Sequence, residues 1–188
     1  MYLETDRLIL RSWQTEDFAP FAEMNADPEV MRFFPMILDK VASNLVATHM
    51  VGRDKNGEPA FLPVIEKASG SFLGITGLNR PSYPVPLPFM PCVEVGWRFR
   101  TSAWGKGYAT EAAQAWLRVG FETMKLKEVV ALTARINLRS QKVMQRLGMV
   151  TNSVDDFDHP MIAEDNILRR HVLYRVNGQR WLEGLQNG

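Results

Sequence analysis

A glycine-bracketed turn between an apolar strand and a long amphipathic helix constrains the fold of this chain more than any other feature. The segment TSAWGKGYATEA, residues 101–112, follows an alternating run at Val93–Phe99. Apolar residues then recur at helical spacing as far as Met124, which predicts a helix that begins near Gly107. A short apolar run at Glu128–Leu132 follows this helix. The order of strand, tight turn, helix and strand is typical of a crossover connection in a mixed sheet.

The remaining elements predict one domain, residues 1–188, of mixed α/β (α+β) architecture with about seven strands. We interpret alternating or short apolar runs as strands, and capping residues followed by apolar spacing as helix starts. The predicted strands are Leu3–Trp13, Phe61–Glu66, Phe72–Leu78, Val93–Phe99, Glu128–Leu132, Val150–Val154 and Leu168–Val176. The predicted helices begin at Thr15, Pro28, Asp39, Gly107 and Asn137, and the third is expected to bury Val41, Leu45, Thr48 and Val51. Five prolines between Pro81 and Pro91 predict an irregular loop, long enough to be functional.

Composition narrows the class of protein. The 188 residues carry a net charge of +1, so the total shows no basic excess of the kind that nucleic-acid binding requires. The sequence contains neither a signal-peptide pattern nor an apolar stretch long enough to span a membrane, so we expect a cytoplasmic protein. Its single cysteine, Cys92, suits a reducing compartment. His49, His159 and His171 lie far apart in the sequence without metal-ligand spacing, so we expect no metal site.

The glycine turn predicts an anion pocket. The first N–H groups of a helix lack internal partners, and Gly105 and Gly107 would let a ligand approach that backbone closely. Lys106 could add a positive charge. The pattern matches neither the P-loop, which requires Ser or Thr after the lysine, nor the dinucleotide-binding turn, which requires a third glycine where Thr110 stands. Taken alone, the two glycines could equally serve a tight turn and bind nothing.

Several segments in a fixed order resemble the GNAT superfamily of N-acetyltransferases. They are the strand VEVGWRF (93–99), the turn WGKGYATEA (104–112), NLRS (137–140) and RLGM (146–149). Within that superfamily, LETDRL (3–8) and DPEVM (27–31) are similar to the RimJ/RimL-type branch, and the resemblance covers about residues 2–176. It implies a GNAT fold, in which a twisted mixed sheet splays near its middle and acetyl-coenzyme A (acetyl-CoA) occupies the split.

The resemblance also implies which residues bind acetyl-CoA. Backbone amides of the glycine turn would hold its pyrophosphate, the preceding strand would pair with the pantetheine arm, and the cap of the next helix would contact the same arm. Carried over residue by residue, these are Trp104, Gly105, Lys106, Gly107, Tyr108, Ala109 and Thr110, then Arg98, Phe99 and Arg100, and finally Asn137 and Ser140. The chain departs from the superfamily at Ser102, where Gln or Arg is frequent.

Three residues are candidates for the chemistry of acetyl transfer to an amine. Glu94 would accept the amine proton as general base, although it could instead form a salt bridge with a neighbouring strand. The N–H of Phe99 would stabilise the developing oxyanion, although it could be an ordinary ladder donor. Ser140 would protonate the leaving thiolate, because this helix has no tyrosine for that role, although its hydroxyl could bond the local backbone.

Other side chains leave alternatives open. Arg135, Arg139, Lys142 and Arg146 could reach the adenosine phosphate or form a solvated face. Cys92 permits a route through an acetyl-cysteine intermediate, but a small buried residue near a strand start is the simpler interpretation.

The resemblance implies direct transfer of acetyl to a primary amine in a ternary complex, most simply to a peptide or protein N-terminal amine. Small-molecule amines and a non-catalytic acyl-CoA sensor are the alternatives. The proline-rich loop and the first helices are expected to shape the acceptor site. The protein could be a monomer or a homodimer.

Overall fold

The computed structural model describes residues 2–186 and contains one mixed sheet with helices on both faces. The strands are β1 Tyr2–Glu4, β2 Leu8–Arg11, β3 Phe61–Glu66, β4 Phe72–Asn79, β5 Glu94–Phe99, β6 Glu128–Ala134, β7 Val150–Thr151, β8 Phe157–Asp158 and β9 Arg170–Asn177. The helices are α1 Phe18–Ala26, α2 Pro28–Met31, α3 Lys40–Lys55, α4 Tyr108–Arg118, α5 Leu138–Arg146 and α6 Gly178–Gln186. A π-helical turn, Val119–Thr123, extends α4. None of the described helices has the length and apolar character required to cross a bilayer.

The sheet has the order β1-β2-β3-β4-β5-β6-β9-β7, and β8 pairs with β9. Neighbouring strands are antiparallel except β5 and β6, which are parallel and joined through α4. This confirms the crossover connection that the glycine turn and its helix predicted.

Two cores cover the faces of the sheet. On one face α4 buries Ala112, Trp116 and Leu117 against the sheet, which explains the strong apolar stripe of this helix. On the other face α1–α3 enclose a second cluster, which includes Phe21 and Ile75. The middle of the sheet, at β5 and β6, therefore lies between two separate layers of helices.

Two predicted strands were wrong in detail. Leu3–Trp13 forms two strands, because the chain turns where the Thr5 N–H donates to the Leu8 carbonyl at 3.0 Å. Val150–Val154 continues as a strand only to Thr151, and the last large strand begins at Arg170. The described sheet has nine strands, which agrees with the prediction of about seven because the additional ones are short.

The buried face of α3 also differs from the predicted one. Val41 and Leu45 are 69% and 67% exposed, whereas Ser43 and Ala47 are fully buried. The small side chains allow α3 to pack close to α1, and Ser43 accepts a hydrogen bond from Asn25 Nδ2 at 3.2 Å. The small size of Ser43 and Ala47 and the buried Asn25–Ser43 bond therefore decide which face of α3 is buried. The spacing of its apolar residues does not.

Candidate active site

The parallel strands β5 and β6 open a cleft in the middle of the sheet. Their register pairs Glu94 with Val130, and the Val130 N–H donates to the Val93 carbonyl at 2.9 Å. Beyond this pair the strands separate, and the cleft of about 740 Å³ is lined by Trp97 and Phe99 on one side and Thr133 on the other. The splayed mixed sheet that the resemblance implied is present.

Alternation along β5 decides which of its backbone groups lie toward the cleft. The Arg100 N–H donates to the Leu73 carbonyl on the β4 side at 2.9 Å, and Arg98 pairs with Ile75 of β4. Because backbone direction alternates along a strand, the groups of Trp97 and Phe99 lie on the cleft side. The backbone groups assigned to Arg98 and Arg100 in the sequence analysis therefore lie toward β4. Trp97, two residues before Phe99 and lining the cleft, has its backbone groups on the same side as those of Phe99.

Phe99 lies on the cleft side, but its carbonyl already has a partner. Trp104 Nε1 donates to this oxygen at 2.9 Å, which folds the turn back onto the end of β5. The Phe99 side chain is buried beside Tyr108 in the core under α4. The strand end and the glycine turn therefore form one rigid corner of the cleft.

The glycine turn presents bare backbone at the start of α4. Gly105 and Gly107 have φ of 76° and 83°, values that L-residues avoid and that explain both glycines. Helix α4 begins at Tyr108, and no described side chain caps its first N–H groups. Trp104, Gly105, Gly107, Tyr108, Ala109 and Thr110 all line the cleft. The arrangement fits a diphosphate, since uncapped amides and the helix dipole both favour an anion.

Lys106 contributes to this corner through its backbone. Its carbonyl accepts a hydrogen bond from Arg7 Nη1 at 2.9 Å, and the residue itself is exposed. The guanidinium of Arg7 also lies 4.6 Å from the ring centroid of Tyr108. The N-terminal hairpin therefore supports the turn from outside the cleft.

Glu94 is half-buried on the face of the sheet covered by α1–α3. Its Oε1 accepts a hydrogen bond from Asn79 Nδ2 at 2.8 Å, and Asn79 Oδ1 accepts one from Arg53. Burial raises the pKa of Glu94 above the ordinary carboxyl range, while the bond from Asn79 opposes that shift. The suggested salt bridge to a neighbouring strand is absent among residues 2–186, and an amide from β4 takes its place. A carboxylate of raised pKa inside a cleft is suited to accept a proton.

The start of α5 forms the opposite wall. Asn137 caps this helix, since its Oδ1 accepts from the Ser140 N–H at 3.2 Å, and its Nδ2 donates to Thr133 Oγ1 at 2.9 Å. Asn137 and Ser140 both line the cleft. The capping bond uses the Ser140 backbone N–H and does not involve its hydroxyl.

Basic residues surround the same wall. The guanidinium of Arg139 lies 4.5 Å from the Trp104 ring centroid, and Arg139, Lys142 and Arg146 line the cleft. Arg135 is exposed and is not among the lining residues. Three of the four basic residues considered from the sequence are thus placed where an anionic ligand would meet them.

Two histidines that are distant in sequence meet in the cleft. The rings of His159 and His171 lie 4.8 Å apart, and Tyr83 of the proline-rich loop packs edge-on against His159 at 5.1 Å. His171 Nδ1 donates to the Arg169 carbonyl at 3.1 Å, whereas His159 Nδ1 accepts from the Met161 N–H at 3.3 Å. The neutral rings therefore present an acceptor Nε2 and a donor Nε2–H respectively. Sequence reasoning missed this pair because β9 and the preceding loop bring it together.

Burial disfavours the charged form of both rings. It lowers the pKa of His171 to about 4 and lowers the pKa of His159 as well. No cluster of three or more His, Cys, Asp or Glu side chains in the described part of the chain is placed to hold a metal ion.

Cys92 lies near Glu94, but its thiol is too basic to be a good nucleophile. Burial, followed by the charge of Glu94, raises its pKa to about 11. Its side chain packs with Leu87, Phe89 and Phe157 of the adjoining apolar cluster. A thiol held protonated among apolar side chains is a poor nucleophile, which favours direct transfer.

The chain is similar to known acetyltransferases over most of its length. Residues 7–150 match the model of the acetyltransferase (GNAT) domain. The uncharacterized N-acetyltransferase YnaD of Bacillus subtilis is 29% identical over 153 residues, which cover 79% of this chain and 82% of that protein. The FsC-acetyl coenzyme A-N(2)-transacetylase of Aspergillus fumigatus is 28% identical and covers 85% of this chain and 69% of its own length.

Solved structures agree on the fold. A GNAT-family acetyltransferase from Bacillus anthracis superposes with a TM-score of 0.77 at 24% identity, covering 95% of this chain and 99% of its own. The ribosomal-protein-S5-alanine acetyltransferase of Vibrio fischeri gives 0.69 at 17% identity, with 96% and 98% covered. The family uses acetyl-CoA as cosubstrate, and the uncapped amides, positive-φ glycines and basic wall fit that molecule. The chain therefore belongs to the GNAT acetyltransferase family and is an acetyl-CoA-dependent acyltransferase.

Proposed function

We propose that this enzyme acetylates the N-terminal amine of a protein or peptide by direct attack within a ternary complex. The observation that carries the proposal is the placement of Glu94 and Ser140 on opposite walls of one cleft, beside an uncapped helix N-terminus. Structural likeness to a ribosomal-protein acetyltransferase supports the choice of acceptor, and the RimJ/RimL-like segments of the sequence support it as well.

Each group of the proposed site has a separate role in the reaction. Amides of the glycine turn, at Gly105 and Gly107 and in the first turn of α4, hold the pyrophosphate of acetyl-CoA, while the cleft side of β5 aligns its arm. The Glu94 carboxylate takes a proton from the ammonium group, because only an uncharged amine can attack. The Phe99 N–H, on the cleft side of β5 together with that of Trp97, donates to the developing oxyanion. The Ser140 hydroxyl gives a proton to the departing thiolate.

An acceptor screen tests this proposal. Purified enzyme is incubated with acetyl-CoA and a panel of short peptides that differ at the first residue, beside amino acids and polyamines, and the release of coenzyme A is measured. Acetylation at the α-amine of peptides, located by mass spectrometry, supports the proposal. Release confined to small amines contradicts the peptide acceptor.

Initial-rate kinetics test the direct route. A ternary complex gives intersecting double-reciprocal lines, whereas an acetyl-enzyme intermediate gives the parallel lines of a ping-pong scheme. Cys92→Ala should retain the wild-type rate, because the thiol lies outside the lining of the cleft. Parallel lines in the wild type, together with loss of activity in this variant, would overturn direct transfer.

A small-molecule amine is the second candidate acceptor. The name of the Aspergillus fumigatus transacetylase mentions no ribosomal protein, and its sequence is 28% identical to this chain. The ribosomal-protein enzyme of Vibrio fischeri is only 17% identical, so the first relative supports this candidate. The same screen separates the two acceptors.

A further inference from the structure

The guanidinium of Arg98 lies in the wall of the cleft without an anionic partner among residues 2–186. Its Nη1 donates to Asn25 Oδ1 at 2.5 Å, and the guanidinium carbon Cζ lies 4.0 Å from the ring centroid of Phe34. Its Nε is buried and has no hydrogen-bond partner in the described structure. Burial lowers the pKa of Arg98 to about 10, and no carboxylate opposes that effect.

The protein holds this cation in one orientation. Asn25 is fully buried and donates through Nδ2 to Ser43 Oγ, so the amide oxygen that receives Arg98 is itself fixed. The ring of Phe34 covers one face of the guanidinium plane. A buried charge without a counterion is costly, and such groups persist where a ligand completes them. Two carboxylates line the cleft with Arg98: Glu29 is paired with Arg32 at 3.1 Å and Glu94 accepts from Asn79, so neither forms an ion pair with Arg98.

The free edge of the guanidinium defines the ligand. An arginine presents its donors as a planar fork, and Asn25 occupies Nη1. The buried Nε and the adjacent Nη2 make no hydrogen bond among residues 2–186, and such a pair of donors can be accepted by both oxygens of a carboxylate that displaces the surrounding contacts. We propose that this edge of Arg98 binds a carboxylate of the acetyl acceptor, so that the substrate is an amine with an acidic group close to the reacting nitrogen.

The position of Arg98 sets where that carboxylate lies. Glu94, Gly96 and Arg98 alternate onto the same face of β5, and four residues of strand span about 13 Å. The long side chain of Arg98 and an acidic side chain of the acceptor would each reach along the strand and together cover part of the distance between Arg98 and Glu94. With a peptide acceptor, which rests on the proposed function, the carboxylate is therefore an Asp or Glu side chain within the first three residues.

A matched peptide series tests this inference. Acceptors with Asp or Glu at the second or third position are compared with Asn or Gln at the same position, and each pair differs only in charge. We expect kcat/KM to favour the acidic member roughly 30-fold or more, as for a buried charge pair. Amino acids and their carboxamides form a parallel arm that separates a free carboxylate from a peptide side chain.

The ratio within each pair is the decisive readout, because a general loss of folding or activity cancels in it. In Arg98→Met the ratio should collapse toward one, and Arg98→Lys, which keeps the charge but lacks the fork, should be intermediate. Arg118→Met, at the exposed end of α4, should keep the wild-type ratio.

Each outcome has a distinct meaning. Acetylation confined to amino acids, with each preferred over its carboxamide, supports the role of Arg98 and overturns the peptide acceptor. Equal rates within every pair overturn the role of Arg98, while acetylated peptides would still support the proposed function. Failure to acetylate any carboxylate-bearing acceptor overturns the inference as well.

Discussion

Arg7 and Glu111 join the N-terminal hairpin to the first turn of α4. Arg7 Nε donates to Glu111 Oε2 at 2.7 Å, the Arg7 N–H donates to Oε1 at 3.0 Å, and Thr5 Oγ1 donates to the same Oε1 at 2.5 Å. The guanidinium also holds the Lys106 carbonyl. The two residues are 104 positions apart, and their contact supports the glycine turn at the start of α4.

We expect Arg7→Ala to weaken acetyl-CoA binding because the Lys106 carbonyl and Glu111 both lose their partner. The Arg7 side chain is 48% exposed, so solvent screening limits the effect to a rise in KM for acetyl-CoA of about tenfold, with kcat little changed. Arg118→Ala, at the other end of the same helix, is the control. Equal KM values for wild type and both variants would show that the turn needs no such support.

Gly107→Ala should both destabilise the fold and weaken cofactor binding. Its φ of 83° disfavours a side chain, and a Cβ would lie 3.4 Å from Arg7 Nη2. The left-handed conformation costs roughly 1–2 kcal/mol in a non-glycine residue, and each kcal/mol lowers the melting temperature by about 2–4 °C. Gly52→Ala, in α3 with no atom near its Cβ position, should instead leave the melting temperature unchanged or raise it. Thermal melts with and without coenzyme A measure both effects.

Glu94→Gln should reduce kcat/KM by about 10²–10⁴-fold, the range for loss of a general base. The base acts when ionised, so activity falls as pH falls through its pKa. Because burial raises that pKa, the acid limb of the wild-type profile should lie above the ordinary carboxyl range. Asn79→Ala removes the bond that favours the carboxylate and should move this limb to still higher pH. An unchanged limb in Glu94→Gln would assign it to another group, and Glu122→Gln on the far surface is the control.

Ser140→Ala should lower kcat by about 10²-fold without unfolding α5, if the hydroxyl protonates the leaving thiolate. The Ser140 backbone N–H makes the capping bond, so the variant keeps it. Asn137→Ala removes the cap acceptor and should cost about 1 kcal/mol in the free energy of unfolding. Full activity in Ser140→Ala would mean that the thiolate leaves without help from this hydroxyl.

His171 should make stability depend on pH. Its pKa is lowered from 6.5 to about 4 in the folded state, so the unfolded chain binds the proton more readily between these values. Stability should therefore fall as pH decreases from about 6.5 toward 4. In His171→Gln this decline should be shallower, and in His49→Gln, on the exposed surface of α3, it should match the wild type. Melting temperatures across this range, with the slope rather than the absolute value compared, provide the measurement.

The sequence by itself determined the local elements that depend on neighbouring residues. Asp39 and Asn137 are caps because short polar side chains accept from N–H groups two or three residues on, and both helices begin where predicted. Gly107 and Gly148 adopt positive φ because no other residue does so readily. The ordered motifs were sufficient to predict the GNAT fold and its cosubstrate.

The tertiary structure alone decided which distant side chains share the cleft. Sequence spacing carries no information about the meeting of His159 with His171, the support of Lys106 by Arg7, or the buried bond between Asn25 and Arg98. The sequence also did not predict which face of α3 is buried, because the close approach of α3 to α1 favours small side chains over large apolar ones. Local propensity acts over a few residues, whereas these contacts arise only when the splayed sheet sets its two helical layers in place.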